Sequence, residues 1–157
     1  MYSKILVPFD KSEPAKHALS AALELAAASE HAEVTALYVT DHMDFDDATF
    51  VVAARMAGIP PISDEDARAA RQRYFDAQKD EICEEVKEIA ADIPDTIDLE
   101  VTIVGGHPQD SISNFVKEHD FDCIVMGRRG LGALRGALGS VSFAVLRSTD
   151  LPVLVVK

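Results

Sequence analysis

Five short apolar runs, separated by segments of helical pattern, constrain this chain more than any other feature. Lys4–Phe9 (KILVPF) is apolar throughout after its lysine. Side chains of a strand point alternately to the two faces of a sheet, so an unbroken run is expected where both faces are covered. Glu33–Val39 (EVTALYV) reads as the second strand, Asp122–Met126 as a short buried fourth, and Leu151–Val156 (LPVLVV) as a fifth at the chain's end. Thr96–Val104 differs: Ile97, Leu99, Val101 and Ile103 alternate with Asp98, Glu100 and Thr102. One wetter face suits an edge strand.

The intervening segments carry helix signals. Ser12 is a candidate N-cap ahead of Glu13 and Pro14, with Ala15, Ala18, Leu19, Ala22, Leu25 and Ala26 on one face. Ser63 to Asp66 matches a capping box. A long charged helix is predicted from there to about Ala91, with Ala67, Ala70, Tyr74, Ile82, Val86 and Ile89 inward. Pro108 opens a helix facing in through Ile112, Phe115 and Val116, and Ser140–Arg147 begins the last one. The alternation of strand and helix predicts a single α/β domain over residues 1–157, a parallel sheet with helices on both faces. Residues 41–62 break the pattern and read as an excursion over a ligand or a subunit contact.

Composition removes several function classes. The net charge of -12 opposes nucleic-acid binding, because phosphate backbones would be repelled. No stretch reaches the length of a membrane span, and the N-terminal apolar run is too short for a signal sequence. Cys83 and Cys123 have no metal-ligand spacing and read as buried, reduced thiols of a cytoplasmic protein.

Against that acidity, Cys123–Thr149 has no Asp or Glu, four arginines (Arg128, Arg129, Arg135, Arg147), and five glycines from Gly127 to Gly139. A strand, a glycine-rich cationic loop and a helix start make an anion site, since backbone N–H groups approach a phosphate closely where side chains are absent. Arg128 and Arg129 either contact phosphates or solubilise the loop; Arg135 reads as loop surface. Asp10 stands just past the first strand, and a carboxylate suits a diol because it accepts both hydroxyl protons. In a doubly wound sheet the ends of strands one and four share a crevice, so the two features converge. The run Asp41–Asp47 could hold a magnesium ion but reads better as a solvated acidic loop. The five histidines show no metal-binding interval, Met126 suits core packing or contact with a base, and no nucleophile–base set emerges. There is no phosphate-loop lysine, so any ATP hydrolysis is expected to be slow and incidental.

These residues resemble the universal stress proteins over nearly the whole chain. The resemblance is carried by KILVPFDKSEPAKHALSAALELA, LYVTD, Gly106-His107-Pro108, IVMGRRGLGALRG, the GSVS helix start and LPVLVVK. It implies an open five-stranded sheet of order 3-2-1-4-5, of the adenine nucleotide alpha-hydrolase-like type. It implies a stress-response homodimer paired through the last strand, here Val153, Leu154, Val155 and Val156. It also implies binding of ATP, with or without magnesium, or of AMP, ADP or cyclic AMP. On that resemblance Pro8 would flank the base, the main chain of Val39 would meet the adenine edge, and Asp10 would hold the ribose or polar atoms on the adenine side. Gly127, Gly130, Gly139, Ser140, Val141 and Ser142 would cradle ribose and phosphates. The nucleotide-binding members resemble G-x2-G-x9-G-[S/T]; here eight residues separate Gly130 from Gly139. That shortening favours the alternative, a protein-interaction module of the same fold that binds no nucleotide. Gly127→Val and Asp10→Ala are expected to weaken binding without unfolding the chain.

Overall fold

The structure, a computed structural model, describes residues 2–40, 52, 55–58, 63–130 and 138–157, leaving aside the side chains of residues 64, 67, 71, 74 and 75. The elements follow the order β1 (Lys4–Pro8), α1 (Glu13–Ala26), β2 (Ala32–Thr40), α2 (Asp64–Ile89), β3 (Ile97–Gly105), α3 (Pro108–Glu118), β4 (Cys123–Gly127), α4 (Ser140–Ser148) and β5 (Val153–Val156). The strands form one parallel sheet in the order β3-β2-β1-β4-β5. The excursion's acidic run Asp41–Asp47, together with Gly132, Arg135 and Gly136 of the glycine loop, lies outside the described residues.

The unbroken runs are explained by two cores, one on each face. Ile5, Val7, Cys123 and Val125 join α1 and the end of α2 on one side. Leu6, Leu37, Ile124 and Met126 join Ile112 of α3 and Val145 of α4 on the other. Successive residues of β1 beyond Lys4 and of β4 thus serve opposite cores, which leaves those positions to apolar side chains. β3 pairs with β2 alone among the described strands, and its Asp98 and Glu100 are exposed, as its alternation predicts.

α1 starts at Ser12, whose hydroxyl accepts from the Ala15 N–H, and buries Ala15, Ala18, Leu19, Ala22, Leu23 and Ala26. The expected Leu25 packs half-buried against the same core, and Leu23, one turn beyond Leu19 on the same face, joins the buried set. α2 is capped by Ser63, which accepts from the Asp66 N–H. The second bond of the expected box goes elsewhere, from the Ser63 hydroxyl to Asp66 Oδ2. Aspartate is one methylene shorter than the glutamate that usually reaches back to the cap N–H.

The inward face of α2 is its C-terminal half. Ile82 and Val86 are buried and Ile89 is half-buried, but Ala70 is exposed, contrary to expectation. Ala67 and Tyr74 are among the side chains not described. The same half is tied to the start of α1 by Lys11–Glu81 at 2.7 Å and Lys16–Glu85 at 2.8 Å. The Glu81 hydrogen bond holds the Lys11 ammonium above its ordinary pKa. A raised lysine pKa stabilises the fold at neutral pH, and that contribution fades as pH climbs through the raised value. Solvent screening keeps such surface pairs weak.

Candidate functional site

The sheet opens between β1, its middle strand, and β4. The β1–β4 register covers only Ile5↔Cys123 and Leu6↔Ile124. β1 continues beside β2 to Pro8↔Leu37, while β4 continues beside β5 to Gly127↔Val156. Pro8 gives a reason for the parting. Ser3 C=O accepts from Glu33 on β2, and Lys4 C=O accepts from Asp122 ahead of β4, so even-numbered residues of β1 turn their peptide groups toward β4. Pro8 therefore puts its ring nitrogen, which has no hydrogen, on the β4 side. The crevice lies at the carboxyl ends of the strands, at the switch point of the sheet.

Asp10 follows immediately. Phe9 N–H still donates to Leu37 C=O at 2.9 Å. Lys11 then takes φ 64°, a left-handed turn rare for a residue with a side chain. This brings Ser12 back to Asp10: Oδ1 accepts from the Ser12 N–H at 3.1 Å and from the Ser12 hydroxyl at 2.5 Å. The other carboxylate oxygen, Oδ2, lies against Gly130, in the space a Cβ there would need.

β2 supplies the neighbouring wall. Leu37 accepts from Phe9, so Val39, two residues on, turns its peptide group to the same side. The β1 register has ended by then, while Val39 remains paired with Val104 of β3. The Val39 side chain packs in the core beside α3 and α4, which leaves its main chain to meet a ligand.

The glycine loop is closed at its base. Arg128 N–H donates to Val156 C=O at 2.6 Å, and Gly139 N–H donates to Arg128 C=O at 2.9 Å. Gly139 and Arg128 thus meet at the base although only eight residues separate Gly130 from Gly139. The N-cap of α4 is Gly139, which has no side chain to cap the helix, and the first turn holds no acid. The first N–H groups of a helix have no partner within it and attract negative charge. α1, by contrast, carries both a Ser12 cap and Glu13.

Gly127 departs from expectation. It is buried, and a Cβ there would lie 2.8–2.9 Å from the Pro14 main chain and Cβ. It is a packing glycine that lets β4 run against the start of α1, so Gly127→Val cannot leave the fold untouched. Ser142 is also committed: its buried hydroxyl donates to Gly127 C=O at 2.9 Å. The Val141 side chain packs in the second core. Both residues therefore have only main-chain groups left for a ligand, whereas Ser140 is exposed.

The structure brings Asp10, Gly127, Arg128, Arg129, Gly130, Gly139 and Ser142 together through these contacts, with Arg129 Cα beside Gly139. Sequence reasoning missed the bond from Ser12 to Asp10 and the place of Pro14 under Gly127. An Asp-x-Ser spacing at a strand end is the signal for the first, since aspartate bonds the backbone two residues on. Cys123 is a core thiol, its pKa pushed up by burial and, secondarily, by the Asp122 charge. Among the described residues no group of three or more His, Cys, Asp or Glu could hold a metal, and no helix is long and apolar enough to cross a membrane.

Comparison with known proteins covers the whole chain. The family model described as the universal stress protein family matches residues 1–157. Universal stress protein MJ0531 of Methanocaldococcus jannaschii is 33% identical over 162 residues, covering 100% of this chain and 83% of that protein. Among solved structures, MJ0577 of the same organism, a hypothetical protein whose biochemical function was assigned from its structure, superposes with a TM-score of 0.73. Its identity is 28%, over 100% of this chain and 96% of that one. A universal stress protein in complex with cAMP superposes with a TM-score of 0.61 at 25% identity, over 99% and 97% of the two chains.

Proposed function

This chain belongs to the universal stress protein family, and on that premise we propose that it binds an adenine nucleotide in the crevice between β1 and β4. The observation that carries the reading is the meeting of the Asp10 carboxylate with Gly130, beside a helix start with no capping side chain and no acid. A carboxylate accepts from sugar hydroxyls, and an uncapped helix start takes phosphate. The base lies between Pro8 and the main chain of Val39. Gly130, Gly139 and the N–H groups of Ser140, Val141 and Ser142 hold ribose and phosphates, with Gly127 shaping the floor. Arg128 and Arg129 supply positive charge at the same end. ATP, with magnesium accompanying its phosphates, is the ligand we favour; ADP, AMP and cyclic AMP share the adenosine end, and the solved relative in complex with cAMP supports that class.

Little or no turnover accompanies binding, because the arginines and amides of the crevice neutralise charge without activating a nucleophile. The protein acts through the liganded state of the chain in a cytoplasmic stress response. Isothermal titration with ATP in phosphate-free buffer tests this, and saturable heat that ADP, AMP or cyclic AMP competes away is the expected result. No heat, and no competition at millimolar nucleotide, sinks the reading. A protein-interaction module is the second reading, favoured by the eight residues between Gly130 and Gly139. Mass spectrometry of protein purified without added nucleotide separates the two, since a co-purifying adenosine phosphate rejects the module.

We also propose a homodimer through Val153, Leu154, Val155 and Val156. β5 is the outer strand of the sheet, and Leu154 is exposed. Pro152 and Val156 direct their carbonyls to Ile124 and Arg128, so Val155 turns its peptide group to the open edge. Val155→Pro removes that outward donor without touching the β4 ladder. Sedimentation equilibrium should show dimer for the native chain and monomer for the variant. A variant that remains dimeric, or a native chain that is monomeric, rejects this interface.

A further inference from the structure

We infer that Ser12 is a positioning residue for the nucleotide crevice, acting through the Asp10 carboxylate; this rests on the nucleotide reading above. Ser12 is buried, at 8% exposure, and directs two donors to one oxygen. Its N–H meets Asp10 Oδ1 at 3.1 Å and its hydroxyl meets the same atom at 2.5 Å. An aspartate carboxyl otherwise rotates in a broad, two-fold well about its last bond. Holding Oδ1 in two bonds restricts that rotation and favours the orientation in which Oδ2 lies against Gly130. The oxygen on the crevice side is thereby oriented before a ligand arrives, and pre-organisation of this kind strengthens binding by reducing what must be ordered.

The plainer role of Ser12, capping α1, does not account for the geometry. Its hydroxyl lies 3.4 Å from the Ala15 N–H, a long contact, and that N–H already donates to the Ser12 carbonyl at 2.9 Å. The Lys16 N–H donates to the same carbonyl at 3.0 Å. The main chain of Ser12 therefore starts the helix, while its hydroxyl makes its short bond to Asp10. Lys11 at φ 64° fits this arrangement. A left-handed residue with a side chain costs about 1–2 kcal/mol, and here it turns both Ser12 donors back onto the carboxylate. Backbone strain of this sort gathers where a site needs a fixed geometry.

The test is a cycle of variants on the intact chain, read by ATP titration and by urea unfolding. Ser12→Ala and Ser12→Gly both remove the hydroxyl; glycine keeps a good helix start and guards against loss of the fold. Each should weaken ATP binding on the order of tenfold, the scale of a lost charged hydrogen bond. Ser12→Thr, which keeps a hydroxyl, should restore most of the affinity. In an Asp10→Ala background the Ser12 substitutions should change affinity no further, although any effect on the urea midpoint through the helix start persists. Native affinity in Ser12→Gly, or an equal loss with and without Asp10, overturns the role assigned to Ser12 while leaving the nucleotide reading intact. If the native chain itself takes up no ATP, the nucleotide reading fails, and the role of Ser12 falls with it.

Discussion

Gly127→Ala is expected to lower the unfolding free energy by about 2–3 kcal/mol, because one added methyl group meets main chain that cannot yield. The new Cβ would stand 2.8 Å from the Pro14 carbonyl carbon and 2.9 Å from its Cβ and oxygen. Pro14 belongs to the first turn of α1, whose Ala15, Ala18, Leu19 and Ala22 are buried against the sheet. Relief therefore requires β4 or the whole helix to shift, and either movement opens packed core. Gly127 also ends β4 beside Val156 and accepts the Ser142 hydroxyl, so the displacement reaches β5 and α4. For a domain of this size the midpoint of thermal unfolding should fall by roughly 4–12 °C. Urea unfolding gives the same answer by a second route, and a midpoint equal to that of the native chain would show that α1 does not pack as described.

Three residues on, Gly130→Ala should do the opposite: spare the fold and damage the crevice. Among the described residues the added Cβ meets only the end of the Asp10 side chain, and Gly130 is exposed. A carboxylate can swing aside into water, so the loss of stability should be limited to about 1 kcal/mol, the scale of a weakened hydrogen bond and well below that of Gly127→Ala. Swinging aside breaks the hold that Ser12 keeps on Oδ1 and moves Oδ2 off its place beside the loop. If Asp10 accepts from the ribose as proposed, loss of that charged hydrogen bond amounts to about 1.5–3 kcal/mol, or roughly ten- to a hundredfold in the affinity for ATP. Native affinity in this variant would remove Asp10 from the ligand's contacts. The pair of alanine variants thus separates packing from binding within one G-x2-G.

The fold was legible because its signals are local. Unbroken apolar runs at β1 and β4 announce strands covered on both faces, and the alternation of β3 announces the edge it occupies. Ser12, Ser63 and Pro108 mark helix starts by chemistry that acts within four residues. Where the pattern failed, it failed on distance from the sheet. Ala70 fits the helical period of α2, yet the helix docks through Ile82 and Val86, and period alone does not say how far along its length a helix is covered.

The site was legible in composition but not in role. A glycine loop without acids and an aspartate at a strand end both pointed to one crevice, and the contact of Asp10 with Gly130 joins them. The two glycines of Gly127-Arg128-Arg129-Gly130 are the same letter in the sequence and do different work. One is small because Pro14 lies against it; the other is small because Asp10 does. Neither neighbour is near in the chain, so no local pattern could tell them apart.

By itself, then, the sequence determined the order of strands and helices, the two covered faces of the sheet and the acid-free loop at a helix start, since each follows from short-range periodicity, capping and charge. Tertiary structure alone decided which peptide groups are left over when β1 and β4 part, that Gly139 meets Arg128 at the base of the glycine loop, and that the Ser12 hydroxyl makes its shorter bond to Asp10 and not to its own helix. Those outcomes depend on distances between segments remote in sequence, and such distances are set only when the sheet has formed and the helices have packed against it.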